Sequence, residues 1–132
     1  MAINCYCIAL RRAERKVTSI YDEALKPAGV NIAQFSLLRA IDRSMPVSLS
    51  KLGKLTELDR STVGRNVRVL SRMALVKMLH GEDQREAVVV LTEKAREALV
   101  VGAPLWLEAQ QKIENTLGVT IAKRLRGLSQ RL

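Results

Sequence analysis

The sequence predicts a mainly α-helical chain with one small β-hairpin, and three observations lead to this fold class. Apolar residues recur at helical spacing near both ends of the 132-residue chain. Two short helical patterns lie in the middle, each preceded by a good N-cap residue. Two short apolar runs follow and flank a polar, glycine-containing loop, which is typical of a β-hairpin. The length suits one domain with or without appended helices.

The composition is that of a globular protein with a basic excess. Apolar residues make up 48% and charged residues 27% of the chain. A net charge of +9 favours a polyanionic partner, whereas 3% aromatic residues argue against binding single strands by base stacking. No apolar run approaches the ~20 residues that cross a bilayer, so we expect no membrane partner and a cytoplasmic, nucleoid-associated location.

The middle of the chain predicts a helix-turn-helix. Ser48 can cap a short helix over residues 49–56. Gly53 lies inside this helix, where glycine costs about 1 kcal/mol relative to alanine, so we expect a second helix to approach closely there. Asp59 is a good N-cap for that second helix. Two short helices joined by a tight turn are the outline of a helix-turn-helix.

The second helix of this pair has two contrasting faces. Its predicted core stripe comprises Val63, Val67, Leu70 and Ala74. Its opposite face carries a hydroxyl and three guanidinium groups, on Ser61, Arg65, Arg68 and Arg72. Residues 59–73 hold four arginines and a single acidic residue. Because like charges at helical spacing repel, a phosphate-lined groove is the counter-charge that this face favours.

The residues after the second helix complete a winged helix-turn-helix. The runs 75–79 and 87–91 flank the polar loop and predict the two strands of the wing. In such a fold the second helix lies in the major groove of DNA, and the hairpin tip lies beside it over the minor groove or the backbone.

The two ends of the chain predict a homodimer. We expect helices over residues 5–26 and 119–132 and a long helix capped by Thr92, joined to the core by a helix over 31–41. A small winged core cannot cover three such amphipathic helices, so the first and last helices are expected to interlock with those of a second copy. The expected division is a dimerisation region at 1–30 and 92–132 around a DNA-binding domain at 31–91.

Three stretches of the chain resemble the MarR family of bacterial winged-helix transcription regulators. LDRSTVGRNVRVLSRMALV (58–76) resembles the recognition helix and its exit, DQR (83–85) the Asp-x-Arg of the wing, and LTEKAREAL (91–99) the start of the long helix after the wing. The resemblance implies a two-fold dimer on a pseudo-palindromic site of double-stranded DNA, most often as a repressor. Ala74 and Ala95 stand where the family usually has glycine.

The resemblance also implies roles for individual residues at the DNA. Ser61, Thr62 and Arg65 would meet base edges or adjacent phosphates. Arg85 would enter the minor groove, with Asp83 holding its guanidinium in place. The alternative for Asp83 and Arg85 is an exposed ion pair that contributes under about 1 kcal/mol.

Further candidate contacts are to phosphate groups, which position a protein on DNA without specifying the sequence. Arg68 and Arg72 are interpreted in this way. Ser48 and Lys51, at the start of the preceding helix, are candidates of the same kind.

Two regulatory hypotheses remain open. Cys5 and Cys7 are candidates for redox sensing, with oxidation linking two copies, and the alternative is that both are small apolar residues of the dimer interface. Family members commonly release DNA when a small aromatic or lipophilic effector enters a crevice between the dimer helices and the winged core. Here that crevice would draw on Arg15, Tyr21 and Phe35, of which Tyr21 and Phe35 have a plain core role as the alternative.

Two other function classes are weighed against a regulator. An enzyme is not supported, because the sequence has no glycine-rich phosphate loop, metal-ligand cluster or nucleophile elbow, and neither a cofactor nor a metal is expected. The second rival is a winged helix used for protein–protein contacts without specific DNA binding. The guanidinium-bearing face argues against this rival without excluding it.

Overall fold

The computed structural model describes residues 4–80 and 86–132, and within them the chain forms a helical protein with a small sheet. The elements in chain order are α1 (Tyr6–Leu25), a 3-10 turn (Lys26–Ala28), α2 (Ile32–Ser44), β1 (Val47–Ser48), α3 (Leu49–Thr56), α4 (Arg60–Arg72), β2 (Val76–His80), β3 (Ala87–Leu91), α5 (Glu93–Leu117) and α6 (Val119–Arg131). The predicted helices are all present, with ends that differ from the prediction by a few residues at most.

The three strands form an antiparallel sheet in the order β1-β3-β2. Val89 in β3 lies opposite Val47 on one side and Met78 on the other, which makes β3 the central strand. The hairpin of β2 and β3 was predicted, although β2 begins one residue later than expected. The two-residue β1 was not predicted, because so short a strand has no periodicity of its own.

A single core joins the winged part to the base of the long helices. Its fully buried side chains are Phe35, Leu25, Leu38, Ile41, Leu52, Leu70, Leu75, Val47, Val63, Val67 and Val89. Val63, Val67 and Leu70 belong to the apolar face predicted for α4. The prediction was wrong for Ala74, which is exposed and lies after the end of α4.

The long helix α5 packs along α1 and against α2 within the same chain. The inward side of α5 carries small and apolar residues, since Ala95, Gly102, Ala109 and Ile113 are buried. A Cβ atom built on Gly102 would lie 2.6 Å from Cε2 of Phe35, so glycine is needed for the Phe35 ring to fit against the helix. Among the described residues, none of the helices combines the length and the hydrophobicity that a bilayer-spanning segment requires.

Candidate nucleic-acid interface

The short helix α3 sets the position of α4. The Ser48 side chain caps α3 by accepting a hydrogen bond from the backbone N–H of Lys51 at 3.1 Å, as predicted. A Cβ atom on Gly53 would lie 2.9 Å from the carbonyl oxygen of Leu58 and 3.8 Å from Cγ2 of Val63. The close approach at Gly53 is thus made by the backbone of the turn, whereas α4, the second helix expected there, is at ordinary van der Waals distance.

Hydrogen bonds organise the first turn of α4. One oxygen of the Asp59 carboxylate, Oδ1, accepts from the Ser61 hydroxyl at 2.7 Å and from the Thr62 backbone N–H at 2.8 Å. The Thr62 hydroxyl accepts from Nη2 of Arg65 at 3.3 Å. The Ser61 hydroxyl and the Thr62 N–H stabilise the charged carboxylate and hold the pKa of Asp59 at about 2. Asp59 is thus the predicted N-cap and also fixes the hydroxyl of Ser61.

The outward face of α4 is polar and basic along its whole length. Its exposed members are Ser61, Arg65, Arg68 and Arg72, as the helical spacing predicted. Two ion pairs occur among residues 4–80 and 86–132, Lys26–Glu23 and Arg126–Glu114, and neither involves α4. Within that part of the chain the three guanidinium groups on this face of α4 therefore face solvent without an ion-pair partner.

The end of α4 is held by backbone bonds around a strained residue. Ala74 has φ +60°, in the left-handed region that alanine rarely adopts. The N–H groups of Ala74 and Leu75 donate to the carbonyls of Ser71 and Leu70 at 3.0 and 2.9 Å, which is a Schellman motif. Alanine thus takes the backbone conformation that glycine usually supplies at this position.

The first residues of α5 bind the exit of α4. The Thr92 hydroxyl donates to the carbonyl of Ala74 at 2.7 Å, and Nζ of Lys94 donates to the carbonyl of Met73 at 2.8 Å. Thr92 also accepts from the N–H of Ala95 and so caps α5, as predicted. This link between α4 and α5 was not predictable, because hydrogen bonds across 18 and 21 residues leave no local signal in the sequence.

The other predicted functional residues lie outside α4, at the start of α3, in the wing and at the start of α1. Ser48 is half-buried and Lys51 is exposed, both at the start of α3. The predicted wing pair, Asp83 and Arg85, lies outside the described residues. Cys5 and Cys7 are both exposed, and Cys5 has an extended backbone as the N-cap of α1.

The three residues of the expected effector crevice do not line one cavity. Tyr21 lines a groove beside Glu114 and Arg126, and burial raises the pKa of Tyr21. Phe35 lines a different cavity, of about 310 Å³, between α2 and α5. Arg15 is exposed and lines neither of these two.

The cavity at Phe35 contains a cation that was not predicted from the sequence. The Arg39 guanidinium lies 4.7 Å from the ring centroid of Trp106 and 5.9 Å from that of Phe35. Arg39 comes four residues after Phe35, one helical turn away, so this spacing was the available signal for that pair. Nothing in the sequence pattern indicates that Trp106 joins them.

Comparisons with known proteins agree with this geometry. A family model described as "MarR family" matches residues 28–86. The crystal structure of the M. tuberculosis transcriptional regulator MosR in complex with DNA matches with a TM-score of 0.85 at 34% identity, over 97% of this chain and 96% of that chain. A mutant of MarR from E. coli, complexed with operator DNA, has a TM-score of 0.82 at 21% identity over 93% of this chain and 89% of that chain, which shows the fold alone.

A curated relative is the uncharacterized HTH-type transcriptional regulator YwoH of Bacillus subtilis (strain 168). It is 28% identical over 86 residues, which are 65% of this chain and 63% of that protein, so the match spans less than two thirds of YwoH. Together these findings define a winged-helix transcriptional regulator rather than an enzyme. The chain belongs to the MarR family, as its sequence motifs predicted.

Proposed function

We propose that this regulator binds specific sequences of double-stranded DNA through the outward face of α4. The observation that carries the proposal is the exposed row of Ser61, Arg65, Arg68 and Arg72, whose arginines form no ion pair within the described residues. DNA phosphates supply the missing counter-charge and base edges supply hydrogen-bond partners. The similar structure of MosR, which is a complex with DNA, supports the proposal.

The side chains of α4 are assigned different tasks. Arg65 reads a base edge together with Ser61 and Thr62, near the start of the helix, and its hydrogen bond to Thr62 supports a fixed orientation. Arg68 and Arg72 contact phosphates.

The start of α3 provides a second set of phosphate contacts. Lys51 offers an exposed charge. The oxygen of the Ser48 hydroxyl accepts from Lys51 N–H, which leaves its proton for a phosphate oxygen.

Selection of bound duplexes from a random pool tests this assignment. Arg65→Ala should weaken binding by about 1–3 kcal/mol and relax the preference at one base position, whereas Arg72→Ala should weaken all sequences to a similar degree. Identical sequence profiles for the two variants would contradict the division of tasks. Absence of any enriched sequence with the unmodified protein would favour a protein–protein module instead.

For the wing, the proposal rests on the resemblance to the family. Arg85 inserts into the minor groove and Asp83 orients it. Since a narrow A·T-rich minor groove attracts arginine most strongly, Arg85→Ala should lose most affinity on sites with A·T-rich flanks. Equal losses on G·C-rich flanks would contradict insertion.

We propose that the protein acts as a homodimer through α1, α5 and α6. These helices leave apolar side chains exposed on the single chain, namely Tyr6, Leu10, Val100, Val101, Leu107, Val119, Ile121 and Leu125. Exposed apolar side chains that recur along neighbouring helices are typical of a surface covered by a partner. A two-fold dimer would place two copies of α4 about one helical turn of DNA apart.

Sedimentation tests the dimer. The unmodified protein should have the mass of two chains, and Ile121→Glu, which places a charge on α6, should shift it towards one chain. Met78→Glu, at an exposed site on β2, is the matched control and should leave the mass unchanged. If the unmodified protein sedimented with the mass of one chain, the proposed homodimer would be contradicted.

We propose that the dimer represses transcription by occupying its operator and that a small aromatic or lipophilic effector releases it. The cavity at Phe35 supports this, because Arg39 stacks on Trp106 there and its guanidinium edge can still donate to a carboxylate. Trp106 is the single tryptophan, so benzoate binding should change its fluorescence in the unmodified protein and much less in Arg39→Met. Equal changes in both proteins would contradict a role for Arg39.

Release by oxidation is a second proposed input. The exposed thiols of Cys5 and Cys7 support it. Two thiols from different copies would lose two electrons and two protons to hydrogen peroxide, which is reduced to water as the disulfide forms. Non-reducing gels after peroxide treatment should show a linked dimer that is absent from the double variant Cys5→Ser/Cys7→Ser. No linked dimer in the unmodified protein would contradict the proposal.

A further inference from the structure

The Ser61 hydroxyl has a fixed hydrogen-bonding polarity. We infer that Ser61 reads the operator as a hydrogen-bond acceptor, and that its partner is a base amino group, N6 of adenine or N4 of cytosine, in the major groove. This inference rests on the proposed function, because it assumes that the first turn of α4 meets base edges.

Whether the Ser61 hydroxyl can donate or only accept follows from the hydrogen-bonding groups at the start of α4. A serine hydroxyl has one proton and two lone pairs, whereas an ionised carboxylate can only accept. The 2.7 Å contact between Oγ of Ser61 and Oδ1 of Asp59 must therefore use the Ser61 proton. What remains on Ser61, which is exposed, is a pair of acceptor sites.

The same contact disfavours the other possible partners of Ser61. A phosphate oxygen, O6 or N7 of guanine, or O4 of thymine would each need the proton that Asp59 holds in a charge-assisted bond. The Asp59 carboxylate also repels phosphate groups, which directs this part of α4 towards the bases and away from the backbone. Adenine N6 and cytosine N4 are the two base donors in the major groove.

The neighbouring arginine has the opposite polarity. Arg65 can only donate, and guanine, with its O6 and N7 acceptors, is the base it suits best. Its Nη2 atom is oriented by the Thr62 hydroxyl at 3.3 Å. A donor and an acceptor thus lie one helical turn apart on the same face, so each half-site should pair a guanine for Arg65 with an adenine or cytosine for Ser61.

Base analogues in a selected operator test the inference. Replacing adenine by purine removes the N6 amino group, and replacing cytosine by pyrimidin-2-one removes the N4 amino group. At one position in each half-site the unmodified protein should lose about 3- to 10-fold in affinity, as expected for one hydrogen bond. Ser61→Ala should show no loss at that position, and Ser36→Ala, an exposed serine on α2, should behave like the unmodified protein.

A second variant tests the part played by Asp59. Glycine is tolerated at an N-cap, so Asp59→Gly frees the Ser61 proton while α4 still forms. This variant should tolerate a base with an acceptor oxygen at that position, hypoxanthine in place of adenine or uracil in place of cytosine, within about 2-fold of the amino-containing base, since the freed hydroxyl can donate as well as accept. If Asp59→Gly discriminated against the acceptor-bearing base as strongly as the unmodified protein does, the proposed control of Ser61 by Asp59 would be overturned.

The outcomes separate this inference from the proposed function. The inference alone is overturned if duplex binding is specific but Ser61→Ala cancels the affinity loss caused by 7-deazapurines, which lack the N7 acceptor, or by methylphosphonates, which lack a charged phosphate oxygen, and not the loss caused by removing the amino group. It is also overturned if Ser61→Ala cancels the affinity loss at no position. Absence of specific duplex binding overturns both.

Discussion

Replacing Ala74 by glycine should stabilise the protein, because the exit of α4 forces an alanine into a left-handed conformation. At φ +60° the Cβ of a non-glycine residue is crowded by backbone atoms, which costs roughly 1–2 kcal/mol. Glycine removes this strain but adds about 0.4–1 kcal/mol of unfolded-state entropy. Ala74 is exposed, so no cavity is created. The expected net gain for Ala74→Gly is about 0.5–1 kcal/mol.

Thermal and urea unfolding at one fixed protein concentration measure this gain. A stabilisation of that size should raise Tm by about 2–5 °C. Ala33→Gly is the matched control, since Ala33 is exposed within the right-handed helix α2, and it should destabilise the protein by up to about 1 kcal/mol. Equal destabilisation by both substitutions would refute the strain at Ala74.

Further predictions concern the packing of α5 and the acid stability of α4. Gly102→Ala should destabilise the protein by about 1–3 kcal/mol, because the new Cβ would lie 2.6 Å from the Phe35 ring. Gly64→Ala is the control, because the nearest atom to its Cβ would be Nη1 of Arg68 at 3.7 Å. Equal urea midpoints for Gly102→Ala and Gly64→Ala would contradict the clash with Phe35. The pKa of Asp59 falls from 3.8 to about 2 in the folded state. Its contribution to the free energy of unfolding is therefore present above about pH 4 and lost as the pH falls towards 2. Urea midpoints between pH 2 and 6 should therefore fall less in Asp59→Asn than in the unmodified protein, and parallel curves would contradict this.

Three of the helices, α3, α4 and α5, were predictable because their starts carry local signals. Ser48, Asp59 and Thr92 each cap the helix that the sequence assigned to them, through hydrogen bonds to a residue three positions on. The two faces of α4 followed from 100° spacing alone, and the structure agrees at every position from 61 to 72 that was assigned to a face.

Features that depend on distant residues were not predictable. Helical spacing assigned Ala74 to the core, although the helix ends before it and the chain turns away. The strand β1 exists because Val47 and Ser48 meet β3, some forty positions away. The stack of Arg39 on Trp106 likewise joins α2 to α5. Each is decided by tertiary contacts, which local patterns do not encode.

The salt dependence of duplex binding tests most directly whether the guanidinium groups of α4 contact DNA phosphates. The logarithm of the association constant should fall linearly with the logarithm of salt concentration, with a slope near −0.9 for each phosphate contact. Arg68→Ala should reduce the magnitude of that slope by about 1 for each subunit bound. A slope near zero, or one that Arg68→Ala leaves unchanged, would contradict the assignment of this face to DNA.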